Sequence, residues 1–310
     1  MPTEDGKFLL EDYSIRLEVS GRYLVKNSSS NKKNNRTFIF ADPDYDLSTA
    51  GSEKAIKAMF PKRKLSAKTR GATSRSAMLK VGRLPNTKLE AEAVAPNMAK
   101  IAGRKPQTFT SQWAMETVLK EVKNPKILML STHGFFLPDQ KVKPSDRGKS
   151  TSIADTRSAT LLGVDGKPIE NPLLRCGLLF AGCNTGSATG GDDGILTGME
   201  VVSLDLRGTE MVVLSACETG IGKVNNGEGV AGLRQAFQLA GAQSVVATLW
   251  SVPDRDSAII IKDFFKNLAD GQSRGEALRQ AQLSRIKARR ARHGAAHPFF
   301  WAAFTLTGQD

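Results

Sequence analysis

The sequence predicts an α/β fold, a mainly parallel sheet sandwiched by helices and preceded by a strand-rich N-terminal segment. Two observations carry this. Short runs apolar at nearly every position recur along the chain, among them Ile127-Leu128-Met129-Leu130, Met211-Val212-Val213-Leu214 and Val245-Val246-Ala247. Strands covered by helices on both faces read this way, whereas a half-exposed strand alternates apolar with polar. Segments of helical composition lie between the runs, the order expected of crossover units. A hydrophobic content of 40% over 310 residues supplies the core for one large domain or two modest ones.

Taken in order, residues 8–25 alternate apolar and polar through Ile15, Leu17 and Val19, a strand-like period. Residues 26–36, rich in Ser, Asn and Lys, have nothing to bury and read as a mobile loop. The organisation expected is a segment 1–36 packed on a main domain 37–310. Residues 37–41 form a strand stopped at Asp42-Pro43, 50–60 a helix, and 61–79 a basic loop rich in Ser and Thr. Helices are expected over 89–101 and, with Ser111 as cap, over 111–122. The strand 126–131 precedes a long polar segment, 137–171; a loop of that length in a compact domain is unusual and often functional. Strands 178–181 and 211–216 bracket a helix over 194–204. A helix over 228–240, a strand over 244–250, helices over 254–268 and 273–292, and a strand over 299–306 complete the chain.

The formal net charge is +13. Between Glu53 and Glu90 the chain has no acidic residue, and lysines and arginines recur from Lys57 to Lys88. A second cluster holds Arg285, Lys287, Arg289, Arg290 and Arg292. Such patches attract phosphates or an acidic protein, though a solvated surface is the blander account, and the first run offers only Phe60 for base stacking. No apolar stretch nears the ~20 residues a membrane span needs. The acidic start, Met1 to Asp5, does not look like a signal peptide. Three cysteines, Cys176, Cys183 and Cys217, argue against a disulfide framework and for a reducing, cytoplasmic setting. No Cys-x-x-Cys or paired His has metal-ligand spacing, and the glycines at 186–198 lack the lysine of a phosphate loop. No metal and no cofactor is expected.

Reactive side chains stand where two apolar strands stop. His133-Gly134 follows the strand 126–131, and Cys217 follows the strand 211–216, 84 positions later. Both belong at the carboxyl edge of one sheet, where open α/β sheets bind ligands. A thiol needs a base to become a nucleophile at neutral pH, and an imidazole supplies one. The amides of Gly134 and Cys217 are candidate donors to a tetrahedral oxyanion. Cys176 reads as a buried filler, and Cys183, also at a strand end, as an inert thiol.

The strings Ser131-Thr132-His133-Gly134, Asp193-Gly194-Ile195-Leu196-Thr197, Leu214-Ser215-Ala216-Cys217-Glu218-Thr219-Gly220 and His297-Pro298-Phe299-Phe300-Trp301-Ala302-Ala303-Phe304 together resemble the CHAT domain. That is a caspase-like, separase-related cysteine peptidase domain often joined to tetratricopeptide repeats. Asp42-Pro43, Leu84-Pro85-Asn86-Thr87 with Glu90 and Glu92, and Leu249-Trp250-Ser251-Val252 add to the likeness, which covers nearly everything from residue 37.

The resemblance implies a caspase-like fold and peptide-bond hydrolysis, with Cys217 as nucleophile and His133 as general base and acid. It implies a protein substrate, control by a regulatory protein or tetratricopeptide-repeat region, and a bacterial defence or stress pathway. Asp192, Asp193 and Glu218 are candidates to receive a basic P1 side chain. The segment 137–171 is longer than compact versions of the domain, and a lid, an activation loop or a self-cleavage site at a basic residue of 141–157 is one account of it. The alternative to an enzyme is a non-catalytic interaction or switch module, docking to an RNA-containing complex through the basic patches.

Overall fold

A computed structural model describes residues 6–15, 17–18, 34–63, 80–136, 172–185, 192–215, 228–250 and 252–310. The expectations placed on 137–171, on 64–79, on Cys217 and on Glu218 lie outside them. In chain order the described strands are β1 (Thr37–Pro43), β2 (Gln107–Ser111), β3 (Ile127–Ser131), β4 (Gly134–Phe136), β5 (Cys176–Leu179), β6 (Ile195–Thr197), β7 (Met211–Leu214), β8 (Ser244–Thr248) and β9 (Phe304–Gly308). The described α-helices are α1 (Leu9–Asp12), α2 (Thr49–Met59), α3 (Pro85–Ala102), α4 (Glu116–Lys120), α5 (Gly198–Val202), α6 (Glu228–Leu239), α7 (Asp254–Ala269) and α8 (Arg274–His293).

Six strands form the main sheet in the order β2-β1-β3-β7-β8-β9. Every pair is parallel except β8–β9. Successive residues of a strand point to opposite faces, and here both faces are apolar. Phe38, Phe40, Leu128, Leu130, Val212 and Leu214 face one core with α2, α4 and α6. Ile39, Ala41, Ile127, Met129, Met211 and Val213 face the other with α3, α7 and α8. The uniformly apolar runs follow from this two-sided burial. A helix-sandwiched, mostly parallel α/β architecture of the caspase-like kind is therefore what the chain adopts.

The strands β4, β5 and β6 form a small antiparallel sheet. It needs a glycine in its middle strand. A Cβ on Gly177 would stand 2.3 Å from the Leu196 carbonyl oxygen and 2.7 Å from the Phe135 ring. The obstacle is partly backbone, so Gly177→Ala is expected to cost about 1–3 kcal/mol, seen as a lowered melting temperature.

Several local expectations are corrected. The 194–204 stretch is not one helix: Gly194 at φ 78° leads into β6, and only then does α5 start, capped by Thr197 and Glu200 in a reciprocal box. Three short apolar residues are enough for a strand when a neighbour pairs with them, and their composition does not reveal it. Ser111 ends β2 at φ 53° rather than capping a helix, and α4 begins only at Glu116. The C-terminal strand starts at Phe304, after a 3₁₀ turn over Pro298–Phe300. Of the N-terminal segment read as strands, the described part is the single turn α1 and one bridge from Leu17 to Thr307. Arg290 pairs with Glu11 at 2.6 Å and Phe8 packs tilted against Trp301 with ring centres 4.7 Å apart, which hold α1 against α8 and the end of the chain.

Candidate functional site

The two strand ends singled out in the sequence are neighbours. The β3–β7 register runs from Ile127↔Met211 to Leu130↔Leu214, and the Ser215 amide donates to the Leu130 carbonyl at 3.0 Å. His133 lies two residues past β3. Ser215 is the last described residue on the β7 side and precedes Cys217 by two positions. Gly134 opens β4 opposite Leu178.

His133 is buried, 6% exposed. Its Nε2 lies 2.8 Å from the Gly82 carbonyl oxygen. A carbonyl only accepts, so Nε2 carries a proton, and in the neutral form of a ring held this way Nδ1 is the basic nitrogen. The ring centre is 5.2 Å from that of Tyr45. The His133 amide donates to the Tyr45 hydroxyl at 3.3 Å, which in turn lies 2.9 Å from Thr132 Oγ1; Thr132 donates onward to the Leu179 carbonyl. That direction of donation needs a neutral tyrosine, and burial raises the Tyr45 pKa well above its ordinary value. Backbone and ring of His133 are thus both fixed from outside β3.

The carbonyl that fixes the tautomer belongs to a strap, residues 81–84, tied down on both sides. Asn184 pairs with Val81 as a strand would, accepting from its amide at 3.0 Å and donating to its carbonyl at 2.9 Å. Arg83 makes a two-point contact with Asp42, at 2.8 and 3.0 Å. The Asp42 carboxylate raises the Arg83 pKa further through this hydrogen bond. Asp42 itself stands at φ 47°, at a bulge where β1 slips register against β2, and its amide donates to Thr87 Oγ1 at 2.8 Å. The strap continues directly into α3.

Glu90, one turn further on, is 6% exposed and accepts from Ser131 Oγ and from Ser215 Oγ, each at 2.9 Å.

The candidate P1 carboxylates are differently placed. Asp192 accepts from Thr117 Oγ1 at 2.6 Å and pairs with Lys120 at 2.8 Å. Lys120 also reaches Glu116 at 2.6 Å and Glu200 at 3.2 Å, a cluster of three carboxylates around one ammonium. Burial, then the nearby Asp192, pushes the Glu116 pKa up to about 8, against the pull of Lys120. Asp193 accepts from the Ile195 amide at 3.0 Å, shaping the turn into β6.

Cys176 and Cys183 are buried free thiols. Burial raises their pKa values to about 11 and about 12, and Asp46 and Asp193 push Cys183 in the same direction. Neither is a thiolate at neutral pH. In the second basic cluster Arg285 and Arg289 pair with Asp256, and Arg290 with Glu11. Three of its guanidinium groups are therefore engaged within the chain. Among the described residues no group of three or more His, Cys, Asp or Glu has the arrangement to hold a metal, and no helix is long and apolar enough to cross a membrane.

Sequence reasoning missed Gly82, Tyr45 and Asn184 as elements of the site. Gly82 acts through its backbone, which leaves no signature. Glu90 did leave one. It shares the buried stripe of α3 with Ala91, Val94, Met98 and Ala102, and a carboxylate on such a stripe calls for a partner.

The family model described as CHAT domain matches residues 1–309. Two curated proteins are also similar, both called tetratricopeptide repeat protein 28. The mouse protein is 35% identical over 120 residues and the human protein 35% over 116. Each alignment covers 37% of this chain and 4% of the relative, so the chain spans a small part of those proteins' length.

Proposed function

Since this chain belongs to the CHAT domain family, a caspase-like family related to cysteine peptidases, we propose that it is a cysteine endopeptidase with Cys217 as nucleophile and His133 as general base and acid. The observation that carries the reading is the placement of His133. It lies beyond the end of β3, beside β7, whose last residue Leu214 precedes Cys217 by three positions in the sequence, with Nε2 donating to Gly82.

In this reading Nδ1 takes the Cys217 thiol proton, and the thiolate attacks the scissile carbonyl carbon. The oxyanion is held by the amides of Gly134 and Cys217. The imidazolium returns its proton to the leaving nitrogen as the C–N bond breaks, leaving a thioester. His133 then takes a proton from water, the hydroxide attacks the thioester, and the acid and the free thiol are released. While His133 is charged, the Gly82 carbonyl, now opposite an imidazolium N–H, makes a stronger, charge-assisted bond. A basic P1 side chain is assigned to Asp193 and Glu218. Asp192, already holding Lys120 and Thr117, is the least suited of the three.

The substrate class is protein. The relatives named for tetratricopeptide repeats support control by a repeat region or a partner that carries one. Contact with an RNA-containing complex falls to the run from Lys57 to Lys88, because the later cluster is largely spent on internal pairs.

The reading is tested by treating the protein with a peptidyl chloromethyl ketone and mapping the adduct. Label on Cys217 alone, and labelling slowed many-fold in His133→Ala, is the expected result. The buried Cys176 and Cys183 are internal controls. Equal label on all three, or label on Cys217 that ignores His133, would leave the non-catalytic switch module as the better account.

A further inference from the structure

We propose that Glu90 is a positioning residue that sets the spacing of His133 and Cys217; the inference rests on reading those two as the dyad. Backbone pairing aligns β3 and β7 as far as the bond from Ser215 to Leu130. The next rung is made by a side chain. Ser131 Oγ reaches Glu90 Oε2 and Ser215 Oγ reaches Oε1, each at 2.9 Å. Both hydroxyls donate, one to each oxygen, so the rigid three-atom carboxyl group spans the two chains. Each serine stands two residues before a member of the dyad, Ser131 before His133 and Ser215 before Cys217. One carboxylate thus ties the two chains at positions that each precede a member of the dyad by two residues in the sequence.

The group is delivered by a rigid body. Ala91, Val94 and Met98 of α3 are at most 1% exposed and pack with Ile39 and Met129 of the sheet. The first turn of the same helix is anchored through Thr87 to Asp42, and the strap before it supplies the Gly82 carbonyl. Residues 82–90 therefore act on His133 twice, from the ring by Gly82 and from the chain by Glu90. Burying a carboxylate is costly, and an apolar residue of similar volume often serves stability as well or better. A carboxylate kept here is explained by the geometry it imposes.

The test follows alkylation of Cys217 by iodoacetamide against pH, below the melting temperature of each variant, with the adduct mapped. Glu90→Ala is expected to slow the His133-dependent reaction at pH 7 by about tenfold, within the roughly thirtyfold ceiling set by the small ionised fraction of an unassisted thiol. It also moves the midpoint of the pH profile toward the ordinary thiol value of about 8.5. Glu90→Gln, whose amide accepts from one serine and donates to the other, restores most of the rate and the wild-type profile. Should Glu90→Ala not fold, Ser215→Ala removes one hydroxyl and is expected to shift the profile in the same direction. A folded Glu90→Ala or Ser215→Ala with the wild-type rate and profile overturns the inference alone. Wild-type protein whose Cys217 labelling ignores His133 overturns both the dyad and the role built on it.

Discussion

Replacing His133 by alanine is expected to slow peptide hydrolysis by about two to four orders of magnitude, yet to slow alkylation of Cys217 at pH 7 by only about thirtyfold. The two numbers differ because the two reactions use the imidazole differently. Alkylation needs only the thiolate, and an unassisted thiol with a pKa near 8.5 is about 3% ionised at pH 7. Hydrolysis also needs a proton for the leaving nitrogen and a base for the incoming water, and alanine supplies neither. The wild-type alkylation rate should be nearly flat from pH 6 to 8, because Nδ1 takes the thiol proton while Nε2 stays on Gly82. In the variant it should fall about tenfold per pH unit below about 8. The measurements are alkylation rate against pH and turnover of a mixed fluorogenic peptide library. Equal losses in both reactions would mean that His133 holds the loop in place and moves no proton. The background from the other described thiols is small. With pKa values near 11 and 12, Cys176 and Cys183 have thiolate fractions at pH 7 on the order of 10⁻⁴ and 10⁻⁵.

The part of the site legible in the sequence is the part set by strand ends. β3 and β7 announce themselves as apolar runs, and a reactive residue after each lands at the carboxyl edge because parallel strands share a direction. Adjacency was open to the sequence as one arrangement among several: β3 and β7 are far apart in the chain, and the register Leu130↔Leu214 is what makes them neighbours. The edge strand β2 was not read because Gln107-Thr108-Phe109-Thr110-Ser111 is polar on one side of a sheet edge, where burial exerts little selection. β4 and β6, three residues each, lie below the length at which a period can be recognised. The strap was hidden for a different reason. Gly82 offers a carbonyl that any residue offers, and Asn184 pairs with the backbone of Val81 rather than with a side chain. Only Glu90, an acid on an otherwise apolar stripe, broke a local rule visibly.

The largest expected loss of stability lies away from the dyad, at Lys120. Its ammonium is shared by Glu116, Asp192 and Glu200, at 2.6, 2.8 and 3.2 Å. Asp192 is 10% exposed, so its charge cannot be left to solvent, and Glu116 beside it is 1% exposed. Removing the cation while leaving the Asp192 carboxylate nearly buried is the expensive way to break such a group. Lys120→Met is therefore expected to cost about 3–5 kcal/mol at pH 7, a fall in melting temperature of roughly 5–15 °C for a domain this size.

The pH dependence of the cluster is opposite to that of an ordinary salt-bridged acid. The folded-state pKa of Glu116 is about 8, raised from 4.5 chiefly by burial. Its stabilising share is complete below pH 4.5, where folded and unfolded chains both hold the proton, and is lost as pH rises from there through 8. Lys120→Met should accordingly be least harmful near pH 5, where Glu116 in the native protein is protonated. Glu116→Gln should gain on the wild type steadily between pH 5 and 8, because the amide still accepts from the Gly194 amide that Glu116 now holds at 3.0 Å. Melting curves of both variants at pH 5, 6.5 and 8 read out the argument. A Lys120→Met defect that shrinks toward pH 8 would show that Glu116 is ionised throughout, with Lys120 holding its charge in the folded state.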